Sequence, residues 1–224
     1  MVFVDDQTFT ATSPALGPGT ASDITVQDPS GIAGTLSKGF LVDFLDVPPT
    51  QQFYAYVTTL VENGITVGVG EGLYGVDEAT LRQQMAVFIL RSKHGLCYTP
   101  PPCTGVFQDV PCSSNFAPWI EALAAEGITG GCQASPPLYC PSNPVRRDQM
   151  AVFLLKGEHG SGYRPPSCTG VFADVPCPSP FANWIEQLAA EGITGGCGGG
   201  NYCPSNANTR GQMAVFLVKT FGLM

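Results

Sequence analysis

Apolar residues recur along this chain at helical spacing, and the same pair of helical patterns comes round three times. In the middle of the chain Phe116, Trp119, Ile120 and Leu123 fall on one helix face, with Pro118 near the start and Gly127 as the stop. Further on, Met150, Phe153, Leu154 and Gly157 share the face of a second predicted helix. Both helices belong to a block that repeats with a period of about 65 residues.

Four landmarks define the block, in the same order each time. The first is Phe44-Leu-Asp46-Val-Pro48, Phe107-Gln-Asp109-Val-Pro111 and Phe172-Ala-Asp174-Val-Pro176. The second is Phe53-Tyr-Ala-Tyr56, Phe116-Ala-Pro-Trp119 and Phe181-Ala-Asn-Trp184. Gly64-Ile-Thr66, Gly127-Ile-Thr129 and Gly192-Ile-Thr194 follow, then Gln84-Met-Ala-Val-Phe88, Gln149-Met-Ala-Val-Phe153 and Gln212-Met-Ala-Val-Phe216. The blocks divide the chain into 42–98, 99–163 and 164–224, after a distinct segment 1–41. One helix pair cannot bury its apolar face alone, but three copies around a shared axis can. The fold expected is therefore mainly α.

The last helix opens with Thr209-Arg-Gly-Gln212, a capping box in which hydroxyl and amide satisfy orphan N–H groups. Leu81 and Arg146 replace the Thr in the other blocks, so the full box is expected once. The glutamines Gln84, Gln149 and Gln212 are expected to cap.

Segment 1–41 reads as strands at Phe9–Ser13, Asp23–Asp28 and Gly34–Phe40, with a turn at Pro29-Ser-Gly31. It resembles the closing strands of an IPT/TIG immunoglobulin-like domain, whose ends carry a Val-x-Asn/Asp-Pro-x-Gly hairpin, here Val26 to Gly31. Half a sandwich leaves an open strand edge, which predicts homo-oligomer formation through these strands. Met1-Val-Phe-Val-Asp-Asp has neither a basic start nor an apolar run, and the expectation is a start imposed inside a longer parent chain.

Composition sharpens the picture. Only 12% of the 224 residues are charged, and 27 Gly and 20 Pro imply many ordered turns. A net charge of −8 disfavours nucleic-acid backbones and anionic bilayers as partners. No apolar run reaches the roughly 18 residues that a membrane span needs.

The 9 cysteines sort by block. Block one has Phe40 and Pro49, then Val69 and Gly75, where the others carry cysteine. Joint loss pairs Cys103 with Cys112, Cys132 with Cys140, Cys168 with Cys177 and Cys197 with Cys203. Zinc is the rival reading, but zinc knuckles use shorter spacings. Disulfides imply an oxidising, extracellular compartment. Cys97 is left over beside Pro100-Pro-Pro102.

The block of Phe-x-Asp-Val, an aromatic helix, Gly-Ile, a tight loop and Arg-x-Gln opening a helix resembles the S-layer homology family. The resemblance runs from 44 to 221. It implies a pseudo-threefold, three-repeat helical spindle, found in bacterial cell-surface proteins, whose grooves bind envelope polysaccharide, often through pyruvylated sugars. It also implies an anchoring module without cofactor or metal. The family's ligand-binding arginine falls on Arg82, Arg147 and Arg210, and its glutamate is replaced by Gln84, Gln149 and Gln212. A guanidinium fork suits a sugar carboxylate. The bland alternative for each arginine is a solvated first-turn side chain.

Other residues have rival readings. Trp119 and Trp184, with Tyr56, could stack on sugar rings, but their spacing favours the core. Asp46, Asp109 and Asp174 are expected to cap the following helix or turn. Glu126 and Glu191 precede a helix-ending Gly, and His94 and His159 end the later helices, where the dipole favours them. As a glycan hydrolase the chain would use Asp109, Asp174, Glu126 and Glu191; as a structural domain it would self-associate. No nucleophile, phosphate-loop or dinucleotide motif appears.

Overall fold

The computed structural model describes residues 2–3, 9–10, 16–27, 33–41 and 43–223. Six helices carry the three blocks: α1 (Tyr54–Glu62), α2 (Arg82–His94), α3 (Ala117–Ala125), α4 (Arg147–His159), α5 (Ala182–Ala190) and α6 (Arg210–Phe221). Four short strands precede them, with β1 (Val2–Phe3) antiparallel to β2 (Phe9–Thr10), and β3 (Ala21–Gln27) antiparallel to β4 (Ala33–Leu41). A further hairpin, β5 (Gln133–Ala134) with β6 (Pro137–Leu138), closes the stapled loop of block two. Mainly α describes the fold. The expected strands lie where β2, β3 and β4 begin, while residues 11–13 and the turn at 29–31 fall outside the described residues.

Helix packing is out of phase with the sequence blocks. Helices α2, α4 and α6 pack on one another, while α3 packs on α2, α5 on α4 and α1 on α6. The first helix of each block thus lies against the second helix of the preceding block, and α1 closes the circle. The reason is visible in the residues. Met85, Met150 and Met213 are fully buried, as are Ile89, Leu154 and Leu217, so each second helix is apolar around most of its girth. One neighbour cannot cover it. Gly157 lies where α2, α4 and α6 meet, since a Cβ there would lie 3.1 Å from Phe221 Cζ and 3.2 Å from Ile89 Cγ2.

A ring of backbone hydrogen bonds joins the blocks ahead of these helices. Thr80 N–H donates to the Asn208 carbonyl, Asn208 N–H to Val145, and Val145 N–H back to Thr80, at 2.9, 3.0 and 2.9 Å. The next residues continue the pattern. Arg82 N–H donates to Asn143, Arg147 N–H to Asn206 and Arg210 N–H to Glu78. Each second helix therefore has its orphan N-terminal donors met by another block, which takes over part of the work of a side-chain cap.

The glutamines supply the rest. Gln84, Gln149 and Gln212 accept from the N–H of Leu81, Arg146 and Thr209 through Oε1, at 3.0, 3.4 and 3.3 Å. Only Thr209 returns the favour, accepting from Gln212 N–H at 3.3 Å. The full box forms once, as the sequence predicts, because Leu81 has no acceptor and Arg146 turns to Asp148 instead.

All four cystines pair as expected: Cys103–Cys112, Cys132–Cys140, Cys168–Cys177 and Cys197–Cys203. Cys97 is free and exposed. No helix among the described residues is long and apolar enough to cross a membrane.

Candidate functional site

Three grooves run between the blocks, and each draws residues from all three. The first is lined by Ile65 to Gly68, then Gln84, Val87, Phe88 and Arg91 of α2, with Phe116 and Arg210. Its counterpart in block two uses Ile128 to Gly131, then Gln149, Val152, Phe153 and Lys156 of α4, with Phe181 and Arg82. The third uses Ile193 to Gly196, then Gln212, Val215, Phe216 and Lys219 of α6, with Phe53, Gln52 and Arg147. Their volumes are about 210, 200 and 330 Å³.

The arginines at the groove floors are not solvated first-turn side chains; Arg82, Arg147 and Arg210 are 4%, 5% and 2% exposed. Each crosses to another block. Arg82 Nε donates to the Tyr139 carbonyl at 2.8 Å, Arg147 Nε to Tyr202 at 2.8 Å and Arg210 Nε to Tyr74 at 2.7 Å. The tyrosine hydroxyls donate back to the carbonyls of Arg82, Arg147 and Arg210, at 2.7, 2.8 and 3.0 Å. Each guanidinium also lies between rings, Arg82 at 4.8 Å from Tyr139 and 5.4 Å from Phe153. Stacking and two-way hydrogen bonding explain how a cation is buried here with no ion pair to it among the described residues.

Burial is the main influence on these guanidinium groups and draws their pKa down; the facing tyrosine, then Asp109 beside Arg82 and Asp174 beside Arg147, pull the other way. Arginine remains charged at neutral pH regardless. Burial likewise pushes the hydroxyls of Tyr74, Tyr139 and Tyr202 up, against the pull of the adjacent arginine. These phenols stay protonated and keep donating.

The groove walls are held by a second set of cations. Lys156 Nζ donates to the Gly127 carbonyl at 3.3 Å, Lys219 Nζ to Gly192 at 3.2 Å and Arg91 Nη1 to Gly64 at 3.2 Å. These contacts satisfy carbonyls where the first helix of each block ends. On the opposite wall, Thr66, Thr129 and Thr194 accept from the N–H of Gly68, Gly131 and Gly196, each at 3.1 Å. At Gly131 and Gly196 φ is positive, and a Cβ would strike the carbonyls of Leu138 and Asn201 at 2.3 Å. A side chain there would displace the loop that forms the wall.

The aspartates have a longer reach than expected. Asp109 accepts from Tyr139 and Cys140 N–H at 2.8 and 2.7 Å, and Asp174 from Tyr202 and Cys203 at 2.7 Å each. Asp46 accepts from Tyr74, Gly75 and Val76. None of these is a cap of the next helix or turn. The interhelical loop returns over the aspartate, and the carboxylate fixes the very tyrosine that faces the arginine. Burial would raise the Asp46 pKa, but the three loop N–H groups outweigh it and lower it.

Glu126 and Glu191 end α3 and α5 as expected, and pair with His94 at 2.7 Å and His159 at 2.9 Å. Lys93 adds a second contact to Glu126 at 2.8 Å. His94 stacks on Tyr98 at 4.5 Å, and His159 lies tilted against Tyr163 at 4.4 Å. Trp119 and Trp184 are half-buried and meet the same tyrosines edge-on, at 5.9 and 6.1 Å. Neither tryptophan is among the residues lining the three grooves.

Sequence reasoning missed Phe53, Phe116 and Phe181 as groove residues, along with Arg91, Lys156, Lys219 and the tyrosines. A signal existed for the last: Leu73-Tyr74-Gly75, Leu138-Tyr139-Cys140 and Asn201-Tyr202-Cys203 form a recurring landmark. It also missed Glu121 and Glu186. Glu121 accepts from Thr104 N–H and hydroxyl, Gly105 N–H and Val106 N–H, at 2.6, 2.9, 2.8 and 2.8 Å. Glu186 does the same for Thr169, Gly170 and Val171.

Comparison with known proteins adds two findings. No curated protein matches the chain. Residues 43–86 match the family model of the S-layer homology domain, a span that covers the first-block landmarks from Phe44 through Gln84 and includes Arg82.

Proposed function

We propose that this chain is a non-catalytic, extracellular module that binds cell-envelope polysaccharide and anchors a parent protein at the cell surface. In this reading the three blocks, 42–98, 99–163 and 164–224, form a pseudo-threefold spindle of S-layer homology type. Segment 1–41 is the end of an IPT/TIG-like domain. Domains of the family matched by residues 43–86 are generally cell-wall anchoring modules. One observation carries the proposal: each of three inter-block grooves has a buried arginine at its floor and a glutamine at its rim. Arg82, Arg147 and Arg210 are the polymer-facing cations, with Gln84, Gln149 and Gln212 beside them. The half-buried Trp119 and Trp184 extend the surface outside the grooves.

The carboxylates support a binding role over a hydrolytic one. Asp109 and Asp174 are occupied by loop N–H groups, whereas Glu126 and Glu191 lie within hydrogen-bond distance of His94 and His159. An acid and a base for glycoside cleavage must share one bond of the substrate, and these pairs belong to separate networks. The test is cosedimentation of the purified chain with bacterial cell walls, before and after chemical removal of their polysaccharide. Binding lost with the polysaccharide supports anchoring; equal binding to stripped walls overturns it.

A structural reading, in which the chain self-associates, has its own supporting observation. Among the described residues β3 and β4 form a two-stranded sheet, an arrangement in which an outer edge can accept another strand. Light scattering at micromolar concentration tests it, and a strict monomer would refute it.

A further inference from the structure

The backbone ring that joins the three blocks carries three different side chains, Thr80, Val145 and Asn208. Isolated antiparallel bridges flank it, Ala79 with Thr209, Leu81 with Pro144 and Arg146 with Ala207, so the chain runs there as short strands. Side chains alternate sides along such a segment. The six flanking residues are all partly or fully open to solvent, whereas Thr80, Val145 and Asn208 are each 0% exposed. The ring therefore turns these three side chains inward, into an interior where Met85, Met150 and Met213 are fully buried too.

Valine needs no partner in such a place, but threonine and asparagine do. Among the described residues the Thr80 hydroxyl and both polar atoms of the Asn208 amide, Oδ1 and Nδ2, are shielded from solvent without a hydrogen-bond partner. The two residues are direct neighbours in the ring, since Thr80 N–H donates to the Asn208 carbonyl at 2.9 Å. Three unmet polar atoms on two adjoining side chains are more than a folded interior ordinarily holds.

We infer that Thr80 and Asn208 form a binding site for one buried water molecule, which ties block three to block one. The polar atoms select this guest. A cation would satisfy Asn208 Oδ1 and the Thr80 oxygen but would face the Nδ2 donor. An anion would satisfy Nδ2 and the hydroxyl proton but would face Oδ1. Water both donates and accepts. It can accept from Nδ2, donate to Oδ1 and meet the Thr80 hydroxyl, which gives it the two to four polar partners that buried water takes.

The place of the site gives it a use. Blocks one and two are joined by the chain itself and by His94 against Glu126, and blocks two and three by the chain and by His159 against Glu191. No linker runs directly from block three to block one. Their joint relies on contacts such as the ring and the two-way exchange between Arg210 and Tyr74. Water held between Thr80 and Asn208 adds a link at this joint, while Val145 has no polar side-chain atom to extend one to the other two.

Oxygen-17 magnetic relaxation dispersion counts the waters that a protein holds for longer than it takes to tumble, and it tests the inference on the full chain. Thr80→Val combined with Asn208→Val repeats around the ring the residue already present at 145. The double variant should hold one long-lived water fewer than the wild type. Its urea midpoint should lie above that of Asn208→Val alone, which strands the Thr80 hydroxyl. An unchanged water count, or a double variant no more stable than the single one, overturns the inference. Should the variants fail to fold, NMR of the wild-type chain decides. The side-chain amide protons of Asn208 should cross-relax with water with the sign of a rigidly held molecule, and their shifts should ignore sodium, potassium and chloride. Absent or opposite-signed cross-relaxation overturns the inference, and a saturable shift with one of these ions would assign the site to that ion instead.

Discussion

Arg82 and Tyr139 hold each other in both directions across a block boundary: Arg82 Nε donates to the Tyr139 carbonyl at 2.8 Å, and the Tyr139 hydroxyl donates to the Arg82 carbonyl at 2.7 Å. Because the same exchange links Arg147 with Tyr202 and Arg210 with Tyr74, the three pairs close a circle through the molecule. Groove floor and inter-block joint are one structure. Loss of a hydroxyl here should therefore be felt globally.

Tyr139→Phe removes one donor and leaves the ring in place over the guanidinium. The Arg82 carbonyl then loses its buried partner, at a cost of roughly 1–3 kcal/mol. Urea denaturation should show that loss as a lower midpoint with an unchanged slope. Tyr74→Phe and Tyr202→Phe should cost similar amounts. A neutral result at all three would mean that the hydroxyls carry no part of the joint.

Gly211→Ala tests the seam between α6 and α1. A Cβ at Gly211 would lie 2.4 Å from Phe53 Cδ2 and 2.7 Å from Cε2, with Val76 behind at 2.9 Å. A phenyl ring cannot bend away, so Phe53 must leave its place in the third groove. The expected destabilisation is about 1–3 kcal/mol, partly offset by the helix preference for Ala. Thermal denaturation reads it, and an unchanged midpoint would show that the seam is slack.

How much of this was legible beforehand depends on range. The helices, the cystine pairs and the glutamine caps are local, and comparison of three copies made them readable. The exchange of helix partners was not. Nothing in the spacing of Phe116 and Ile120 says that α3 will pack on α2 rather than on α4. From sequence Asp109 reads as a cap because such residues usually act on close neighbours, whereas its partners lie about thirty positions on. The arginines read as solvated or ligand-facing side chains because charge usually means water, and their burial removes the solvated alternative. Their burial becomes intelligible only when Tyr139 and Phe153 are seen on either side.

The buried carboxylates set an acid limit. Burial by itself would raise the pKa of Glu121 and Glu186, but the N–H groups of Thr104 to Val106 and Thr169 to Val171 prefer the anion and lower it below the ordinary 4.5. With the folded-state pKa depressed, their contribution is complete above about pH 4.5 and is lost as pH falls through the folded value. Asp46 and Glu126 act in the same direction. Stability should hold from pH 7 down to about 5 and then drop. Glu121→Gln should lose roughly 1–3 kcal/mol at neutral pH and flatten the acid limb, measured by urea midpoints across pH. An equally steep limb in the double variant with Glu186→Gln would place the acid response elsewhere.

Block one keeps Asp46 but lacks the glutamate anchor and the cystines. Its counterpart of Glu121 and Glu186 is Thr58, and it has no cystine, with Val69 and Gly75 where Cys132 and Cys140 stand. Each short cystine loop elsewhere contributes about 2–3 kcal/mol by loop entropy. Amide exchange in α1 should accordingly be faster than in α3 or α5. Because α1 packs on α6, the effect should reach the end of the chain as well as the start. Reduction under native conditions separates the causes. It should bring α3 and α5 closer to α1 but not level with it, since the carboxylate anchors of Glu121 and Glu186 survive. Complete levelling would assign the difference to the cystines alone, and slower exchange in α1 than in α3 would refute the ordering.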